Sequence, residues 1–198
     1  MPETLAIIGA GPLGRWLARA AARAGFRVLL EDVMPHNLHH AQEWLRLELG
    51  PAALASELSA EQGGAVSFVS TIEEAVREAD LAIYCVPDEL ESKLEIFCLL
   101  DRMAPPRTVL ATPSTRLSIA DLASCTYRPD RCVAIAAEAA SLASGESTEI
   151  LLRTTSRTSA DTLALLDRFW RRLGLTPSFA VDPVETASGD YPISEPKR

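Results

Sequence analysis

Short runs of apolar residues alternate along this chain with longer segments whose apolar positions recur at helical spacing. Such alternation is typical of a parallel sheet covered by helices on both faces. The apolar runs predict strands at 5–9, 27–32, 66–69, 81–86, 108–112, 131–136, 149–153 and 178–181. The periodic segments predict helices at 12–24, 36–49, 52–60, 72–79, 88–103, 119–124 and 159–173. We therefore expect a single α/β domain of three layers, built on a doubly wound and mostly parallel sheet.

The first predicted strand runs directly into a glycine-rich turn. In a strand–turn–helix unit, the first glycine permits a tight turn, the second lets the backbone approach a pyrophosphate, and the third lets the helix pack closely on the strand. The anion would lie at the helix N-terminus, where unpaired N–H groups and the helix dipole favour negative charge. A turn with a purely structural role is the alternative. The spacing favours a dinucleotide-binding, Rossmann-type domain in which the cofactor contacts are Gly9, Gly11, Pro12, Leu13 and Gly14.

An acidic residue follows the second predicted strand. Asp32 lies 18 residues after Gly14, near the usual separation of about 20 for the acid that binds the adenosine ribose. A carboxylate there would repel a 2′-phosphate, so NAD is favoured over NADP. Glu31 is the neighbouring candidate, but side chains alternate along a strand, and only one of the two is expected to face the ribose.

Composition indicates one globular domain of acidic character. With 198 residues, 47% of them hydrophobic, the chain can bury a substantial core. A net charge of −8 argues against nucleic acid or an anionic membrane as a partner. The N-terminus shows no secretory pattern, and no apolar stretch approaches the roughly 18 residues of a membrane span. We expect a cytoplasmic protein, with the domain at residues 1–186 and a flexible tail at 187–198.

The residues that commonly bind metals do not form a convincing site. The cysteines show no C-x-x-C spacing and have mostly apolar neighbours, so buried free thiols are expected at Cys85, Cys98, Cys125 and Cys132. Three histidines have helical spacing, and Glu43 could complete a metal site with His36, His39 and His40. A solvated helix face is the favoured interpretation, and no metal is predicted.

Three stretches of the sequence together resemble the NAD-binding domain of the 3-hydroxyacyl-CoA dehydrogenases of fatty-acid β-oxidation. They are residues 7–14 with Asp32, residues 79–93, and residues 104–119. The similarity covers about residues 4–182. It implies that Asp32 binds the adenosine ribose, that Asp88 stands where the family has Glu, and that Lys93 is the family lysine at the cofactor site.

The same resemblance assigns residues to the substrate side of the cofactor. Thr115 falls where the family has a serine that touches both cofactor and substrate, and it keeps the hydroxyl. The family asparagine is replaced by Pro113, which can donate no hydrogen bond. Glu149 matches, with a one-residue shift, the glutamate that orients the catalytic histidine.

The catalytic histidine itself is replaced by Ala136. In the family this imidazole takes the proton from the 3-hydroxyl while hydride moves to the nicotinamide. Losing such a general base typically removes about 10²–10⁴ of rate. The nearest replacement is Glu138, which shares a strand face with Ala136 if the strand continues. Turnover therefore stays open, with Thr115, Glu138 and Glu149 as candidate catalytic residues.

In the family a helical domain follows, closes over the acyl chain and forms the dimer, and this sequence shows no counterpart. We therefore expect a second copy or a partner chain to cover the open cofactor face. The leading hypothesis is an NAD-dependent oxidoreductase that acts on the 3-hydroxyl carbon of an acyl-CoA in fatty-acid metabolism. The alternatives are a catalytically silent module that binds NAD or a partner, and an oxidoreductase for a small substrate without CoA.

Overall fold

The sheet runs through the whole domain and positions every other element. The computed structural model describes residues 3–54, 64–87, 89–137 and 148–182. Within them one eight-stranded sheet has the order β3-β2-β1-β4-β5-β6-β7-β8. Its strands are β1 (Thr4–Ile8), β2 (Arg27–Glu31), β3 (Val66–Val69), β4 (Leu81–Tyr84), β5 (Val109–Pro113), β6 (Cys132–Ile135), β7 (Glu149–Thr154) and β8 (Thr176–Val181).

Strands β1 to β6 are parallel to one another, whereas β7 is antiparallel to β6 and β8 is parallel to β7. Helices cover both faces of this sheet. In the described residues they are α1 (Pro12–Arg23), α2 (Pro35–Leu49), α3 (Ile72–Val76), α4 (Leu90–Met103), α5 (Ile119–Ser124) and α6 (Ala160–Arg172). The expectation of a three-layer, mostly parallel α/β domain is confirmed.

Side-chain alternation divides the core between the two faces of the sheet. Leu5 and Ile7 in β1 pack with residues of α1, α2 and α6. Ala6 and Ile8, pointing the other way, pack with residues of α3, α4 and α5. Because parallel strands are covered on both faces, they are apolar at nearly every position. The continuous apolar runs in the sequence therefore arise because these strands are buried on both faces of the sheet.

Several helix boundaries follow from local side-chain chemistry. Thr71 begins α3 by accepting a hydrogen bond from the Glu74 N–H, and Ser118 begins α5 in the same way. Gly25 follows α1 with a φ of 83°, which only glycine adopts without strain.

Two predicted boundaries differ from the structure. The helix expected to reach Ala79 ends at Val76, and the Ala79 N–H turns back to the Val76 carbonyl. The helix expected near 52–60 is a 3₁₀ turn at Pro51–Ala53, and its remainder lies largely outside the described residues. The tail predicted at 187–198 also lies outside them.

Two other sequence features have plain structural outcomes. All four cysteines are free thiols, but only Cys132 is buried, and the other three are half-buried. Within the described residues, no helix combines the length and apolar character that a membrane span requires.

A buried ion pair fixes the C-terminal end of α4. Arg128 and Asp101 are 9% and 7% exposed, and the Arg128 Nε lies 2.7 Å from the Asp101 carboxylate. The same guanidinium donates to the main-chain carbonyls of Asp101, Ala104 and Pro105, which lie in the last turn of α4 and just beyond it. The Arg128 side chain therefore neutralises the buried Asp101 carboxylate and also supplies hydrogen bonds to carbonyl groups at the end of α4.

We expect Arg128→Met to lower the free energy of unfolding by about 3–5 kcal/mol, because it leaves a buried carboxylate without its partner. Urea unfolding followed by circular dichroism measures the change. Arg171→Met is the matched control, because Arg171 pairs with Asp167 on the exposed face of α6 and should change stability little. Equal losses in the two variants would contradict the role given to Arg128.

Candidate functional site

The candidate site lies where the sheet changes winding direction. Strands β1 and β4 are neighbours, yet β1 leads into α1 on one face of the sheet and β4 leads towards α4 on the other. Such a switch point opens a crevice at the carboxyl ends of the strands, where α/β domains bind their ligands. The glycine turn after β1 forms one wall of this crevice.

The turn is crowded by main chain on both sides. The Gly9 N–H donates to the Glu31 carbonyl at 2.8 Å, and the Cys85 N–H donates to the Ile8 carbonyl at 2.7 Å. Gly9 has a φ of 106°, and a Cβ on it would lie 2.7 Å from the Cys85 carbonyl oxygen. Glycine is therefore required at this position by both conformation and space.

The other two glycines of the motif do different work. A Cβ on Gly14 would lie 1.9 Å from the Gly9 carbonyl oxygen, so this glycine lets α1 approach β1. A Cβ on Gly11 would meet nothing within 4 Å, and Gly11 immediately precedes α1. The open space beside Gly11 is a cradle at a helix N-terminus that a side chain would fill, and it suits a pyrophosphate.

The two remaining residues of the predicted turn begin α1. Pro12 is exposed at the first helical position. Leu13 is half-buried against the core on the α1 face, so its side chain is structural. A contact from Leu13 to the cofactor would come from the main chain.

Asp32 connects the glycine turn to α2. One carboxylate oxygen accepts from the Ala10 N–H at 2.8 Å, and the other accepts from the Met34 N–H at 2.8 Å and the Asn37 Nδ2 at 3.1 Å. A carboxylate has about four acceptor positions, so room for a ribose hydroxyl remains. The assignment of Asp32 to the ribose stays a prediction, and the sequence gave no sign that Asp32 also holds the turn.

Asp32 opens onto a pocket of about 120 Å³. This is smaller than the roughly 300–1,000 Å³ of a complete small-molecule site, so the pocket can hold only part of a dinucleotide. The pocket is largely apolar, and its lining residues are Ile8, Gly9, Glu31, Asp32, Val33, Ile72, Tyr84, Val86 and Ile96. Both Glu31 and Asp32 line it, although strand alternation led us to expect only one of them at the ligand. Asp32 lies beyond the last residue of β2, where the alternation ends.

Burial changes the acid–base chemistry of two pocket residues. Desolvation, with a smaller contribution from Asp32, raises the pKa of Glu31 to about 7. Desolvation followed by the charges of Glu31 and Glu95 raises the pKa of Tyr84 to about 12. The pocket therefore holds a carboxyl that titrates near neutral pH, which sequence alone does not reveal.

Lys93 lies at the carboxyl ends of β4 and β5. It is fully buried, and its amine donates a hydrogen bond to the Pro113 carbonyl. Thr115, two residues further on, is exposed at the same edge. Proline at position 113 cannot donate, as the sequence indicated, but its carbonyl anchors the lysine. The structure thus brings Lys93 and the Thr115 segment together.

A pair of residues missed by the sequence analysis holds that segment in place. Arg153 forms two hydrogen bonds of 2.7 Å with the Asp182 carboxylate and a further one of 3.0 Å with the Leu117 carbonyl. Asp182 also accepts from the Ile119 N–H at the start of α5. Asp182 is 63 residues from Ile119 and 29 residues from Arg153 in the chain, so no local pattern could reveal these contacts.

Ala136 lies just past β6, and its N–H donates to the Leu151 carbonyl of β7 at 2.9 Å. Glu149 is exposed at the start of β7, beyond the end of β6. Asp88 and Glu138 lie outside the described residues. His36, His39 and His40 are exposed on α2, and among the described residues no cluster of three or more His, Cys, Asp or Glu could hold a metal.

Together, the switch-point crevice, the glycine cradle and the acidic residue after β2 are the features of a dinucleotide-binding domain of the Rossmann class. The family model described as "3-hydroxyacyl-CoA dehydrogenase, NAD binding domain" matches residues 4–177. This chain belongs to that family, whose cofactor is NAD.

Relatives of known name fall in the same family. The probable 3-hydroxybutyryl-CoA dehydrogenase of Bacillus subtilis is 33% identical over 135 residues, which are 66% of this chain and 47% of that protein. L-carnitine dehydrogenase of a Pseudomonas species is 33% identical over 66% of this chain and 41% of its own length. The chain thus spans less than half of these curated relatives.

Solved structures agree with this assignment. The 5-formyl-3-hydroxy-2-methylpyridine 4-carboxylic acid 5-dehydrogenase, an NAD-dependent dismutase, superimposes with a TM-score of 0.77 at 28% identity, covering 92% of this chain and 59% of that one. The 3-hydroxybutyryl-CoA dehydrogenase of Escherichia coli K12 superimposes with a TM-score of 0.76 at 26% identity. The match covers 91% of this chain and 38% of that one.

We expect Gly11→Ala and Gly14→Ala to separate cofactor binding from folding. The methyl group added in Gly11→Ala points into open space. This variant should therefore be as stable as the wild type but should bind NADH more weakly. The Gly14 methyl collides with the Gly9 carbonyl, and such overpacking typically costs about 1–3 kcal/mol. Urea unfolding and NADH fluorescence titration measure the two effects. Undiminished NADH binding by the folded Gly11 variant would argue against a pyrophosphate at the turn.

The raised pKa of Glu31 predicts that stability depends on pH. The neutral carboxyl is favoured in the folded state, so its contribution is present below about pH 4.5 and is lost as pH rises through about 7. Allowing for partial solvation, the loss is on the order of 2 kcal/mol. We expect Glu31→Gln to flatten the fall in unfolding free energy between pH 5 and pH 8. An unchanged slope would contradict burial as the cause.

Proposed function

We propose that this chain is the NAD-holding part of an oxidoreductase that transfers hydride between NAD and the 3-hydroxyl carbon of an acyl-CoA. The observation that carries the proposal is the crevice in which Gly9 of the glycine turn and Asp32 line one largely apolar pocket, next to the open cradle at Gly11. NAD, when bound, supplies the hydride acceptor or donor. The work of the protein is to bind it and to orient a substrate.

The contributions of individual residues follow from their positions. The N–H groups at the start of α1 would bind the pyrophosphate, and Asp32 would accept from the adenosine ribose. Lys93 fixes the end of β5 through the Pro113 carbonyl. Thr115 presents a hydroxyl at that edge, in position to contact cofactor and substrate. Asp88 is assigned to the cofactor by resemblance alone.

A catalytically silent NAD-binding module is the second candidate, and one observation favours it. Ala136 stands at the position of the catalytic histidine, and a methyl group can neither take nor give a proton. Glu138 is the proposed substitute base, and Glu149 the residue that would assist it. If neither acts, the domain binds NAD without turning over a substrate.

A substrate without CoA is the third candidate. Two similar proteins bear names with no CoA thioester, namely L-carnitine dehydrogenase and the pyridine carboxylate 5-dehydrogenase. The same cofactor domain thus occurs with small polar substrates. Thr115 and the neighbouring strand ends could position such a substrate equally well.

We further propose a cytoplasmic protein of fatty-acid metabolism whose cofactor face is covered by a second copy or a partner chain. The support is apolar surface around the crevice, because Val33, Met34 and Leu90 are 82%, 47% and 41% exposed. Large exposed apolar patches usually mark interaction sites. Light scattering with and without NADH measures the oligomeric state.

The central test is to titrate NADH into the protein, add acetoacetyl-CoA and follow the nicotinamide absorbance. Consumption of NADH that is lost in Glu138→Gln supports the oxidoreductase and its proposed base. Binding without consumption of NADH, by acetoacetyl-CoA or by small 3-oxo acids, supports the silent module. No binding at millimolar NADH would overturn the function proposed for the site.

We expect substitutions of Asp32 to reveal cofactor selectivity. Asp32→Asn can still accept from the turn but no longer repels a 2′-phosphate, so the preference for NADH over NADPH should fall about tenfold or more. Asp32→Ala should weaken NADH further, because the Ala10 N–H loses its acceptor. Fluorescence titration with both cofactors measures this order. An unchanged preference in Asp32→Asn would remove Asp32 from the ribose site.

A further inference from the structure

Glu31 is an unusual residue for the floor of an apolar pocket. It is 4% exposed, and none of the described residues donates a hydrogen bond to its carboxyl group. A buried polar group without a partner costs free energy, and native structures rarely keep one without a reason. The carboxyl lines the pocket, so a ligand in the pocket can supply the missing partner.

The register of the sheet shows what surrounds this carboxyl. Ile8 of β1 is paired with Glu31 on one side and Tyr84 on the other, and Glu31 is paired with Val69 of β3. Residues paired in this way point to the same face, so the four side chains form a row across the sheet. Three of them, Ile8, Glu31 and Tyr84, line the pocket. Helices α3 and α4 close the sides with apolar residues, Ile72 and Ile96.

The part of NAD that enters this pocket follows from covalent connectivity. Asp32, the acid for the adenosine ribose, lines the same pocket as Glu31. The base attached to that ribose is adenine, and its flat apolar faces suit the walls formed by Ile72, Val86 and Ile96. Its Watson–Crick edge carries an amino donor at N6 beside a ring-nitrogen acceptor at N1. The pocket floor offers a carboxyl group to match that edge.

We propose that Glu31 recognises the amino edge of the adenine base, accepting a hydrogen bond from the amino group and, when protonated, donating one to the adjacent ring nitrogen. This inference rests on NAD binding in the crevice and adds a residue that selects the base. A protonated carboxyl has one donor and one acceptor side by side, as the edge requires. An ionised carboxylate can only accept, and it would repel the lone pair of the ring nitrogen.

The surroundings of Glu31 favour the protonated form near neutral pH. Burial raises its pKa to about 7, and the nearby carboxylate of Asp32 acts in the same direction. Tyr84 on β4 is uncharged in this range, and Glu95 on α4 acts on Tyr84. The groups facing Glu31 from β1, β3 and α3 are apolar, namely Ile8, Val69 and Ile72. No cation among these neighbours would hold the carboxyl ionised.

The test compares NAD with nicotinamide 1,N6-ethenoadenine dinucleotide, in which an etheno bridge blocks both the amino group and the ring nitrogen. Calorimetric titration at about pH 6.5 should show NAD binding about tenfold more tightly, the value of one or two hydrogen bonds. Glu31→Gln keeps one donor and one acceptor, so it should keep the preference. Glu31→Leu should bind the two dinucleotides about equally.

A matched control is Glu43→Leu, because Glu43 is exposed on α2 and far from the pocket lining. It should leave the preference unchanged. A folded Glu31→Leu variant, verified by cooperative melting, that keeps the wild-type preference would overturn the proposal. Failure of the wild type to bind NAD at all would instead overturn the cofactor site, so the two failures are distinguishable.

A second arm uses pH and does not depend on the leucine variant folding. As pH rises from about 6 to about 8, Glu31 loses its proton and the donor with it. The affinity of the wild type for NAD should therefore fall several-fold, whereas Glu31→Gln, which has no proton to lose, should stay constant. Equal pH dependence in the two proteins would show that the protonated carboxyl does not read the base.

Discussion

The turn between β1 and α1 is confined by main chain at Gly9 and Gly14, and the site depends on that confinement. Its amides and carbonyls bond to the ends of β2 and β4, and α1 approaches so closely that only hydrogen fits at Gly14. Main chain held by main chain cannot relax when a ligand arrives. The N-terminus of α1 is therefore already oriented towards the crevice, and a bound anion gains from preorganised N–H groups.

Two adjacent carboxyl groups at this turn have opposite relations to the protein. Asp32 accepts three hydrogen bonds from the turn and from α2, whereas Glu31 is buried without a donor. Different environments give neighbouring carboxyl groups different pKa values and so allow them different roles. Asp32 is organised before any ligand binds, and Glu31 gains a partner only when the pocket is filled. One acid therefore belongs chiefly to the scaffold and the other chiefly to the ligand.

The edge of the crevice that we propose for the substrate is held as firmly as the glycine turn. Lys93 anchors the end of β5, and Arg153 with Asp182 fixes the segment that carries Thr115 and begins α5. This rigid edge persists although Ala136 replaces the histidine. Rigid placement of groups contributes to catalysis only if a proton acceptor is present. The geometry thus supports binding and orientation, and the identity of the base decides turnover.

The sequence by itself predicted the fold class and the strand–glycine turn–helix unit of β1 and α1, and the structure confirms both. The assignments of Asp32 to the ribose and of Ala136 to the position of the catalytic histidine stay predictions. The two confirmed features depend on local spacing and on burial on both faces of a sheet, and both leave a periodic trace in the chain. The tertiary structure alone decided that Asp32 holds the turn, that Arg153 meets Asp182, and that Glu31 lines the pocket with a pKa raised to about 7. The first two depend on residues that the fold brings together from different elements, Ala10 with Asp32 and Arg153 with Asp182. The third depends on burial in the pocket, which leaves no pattern along a chain.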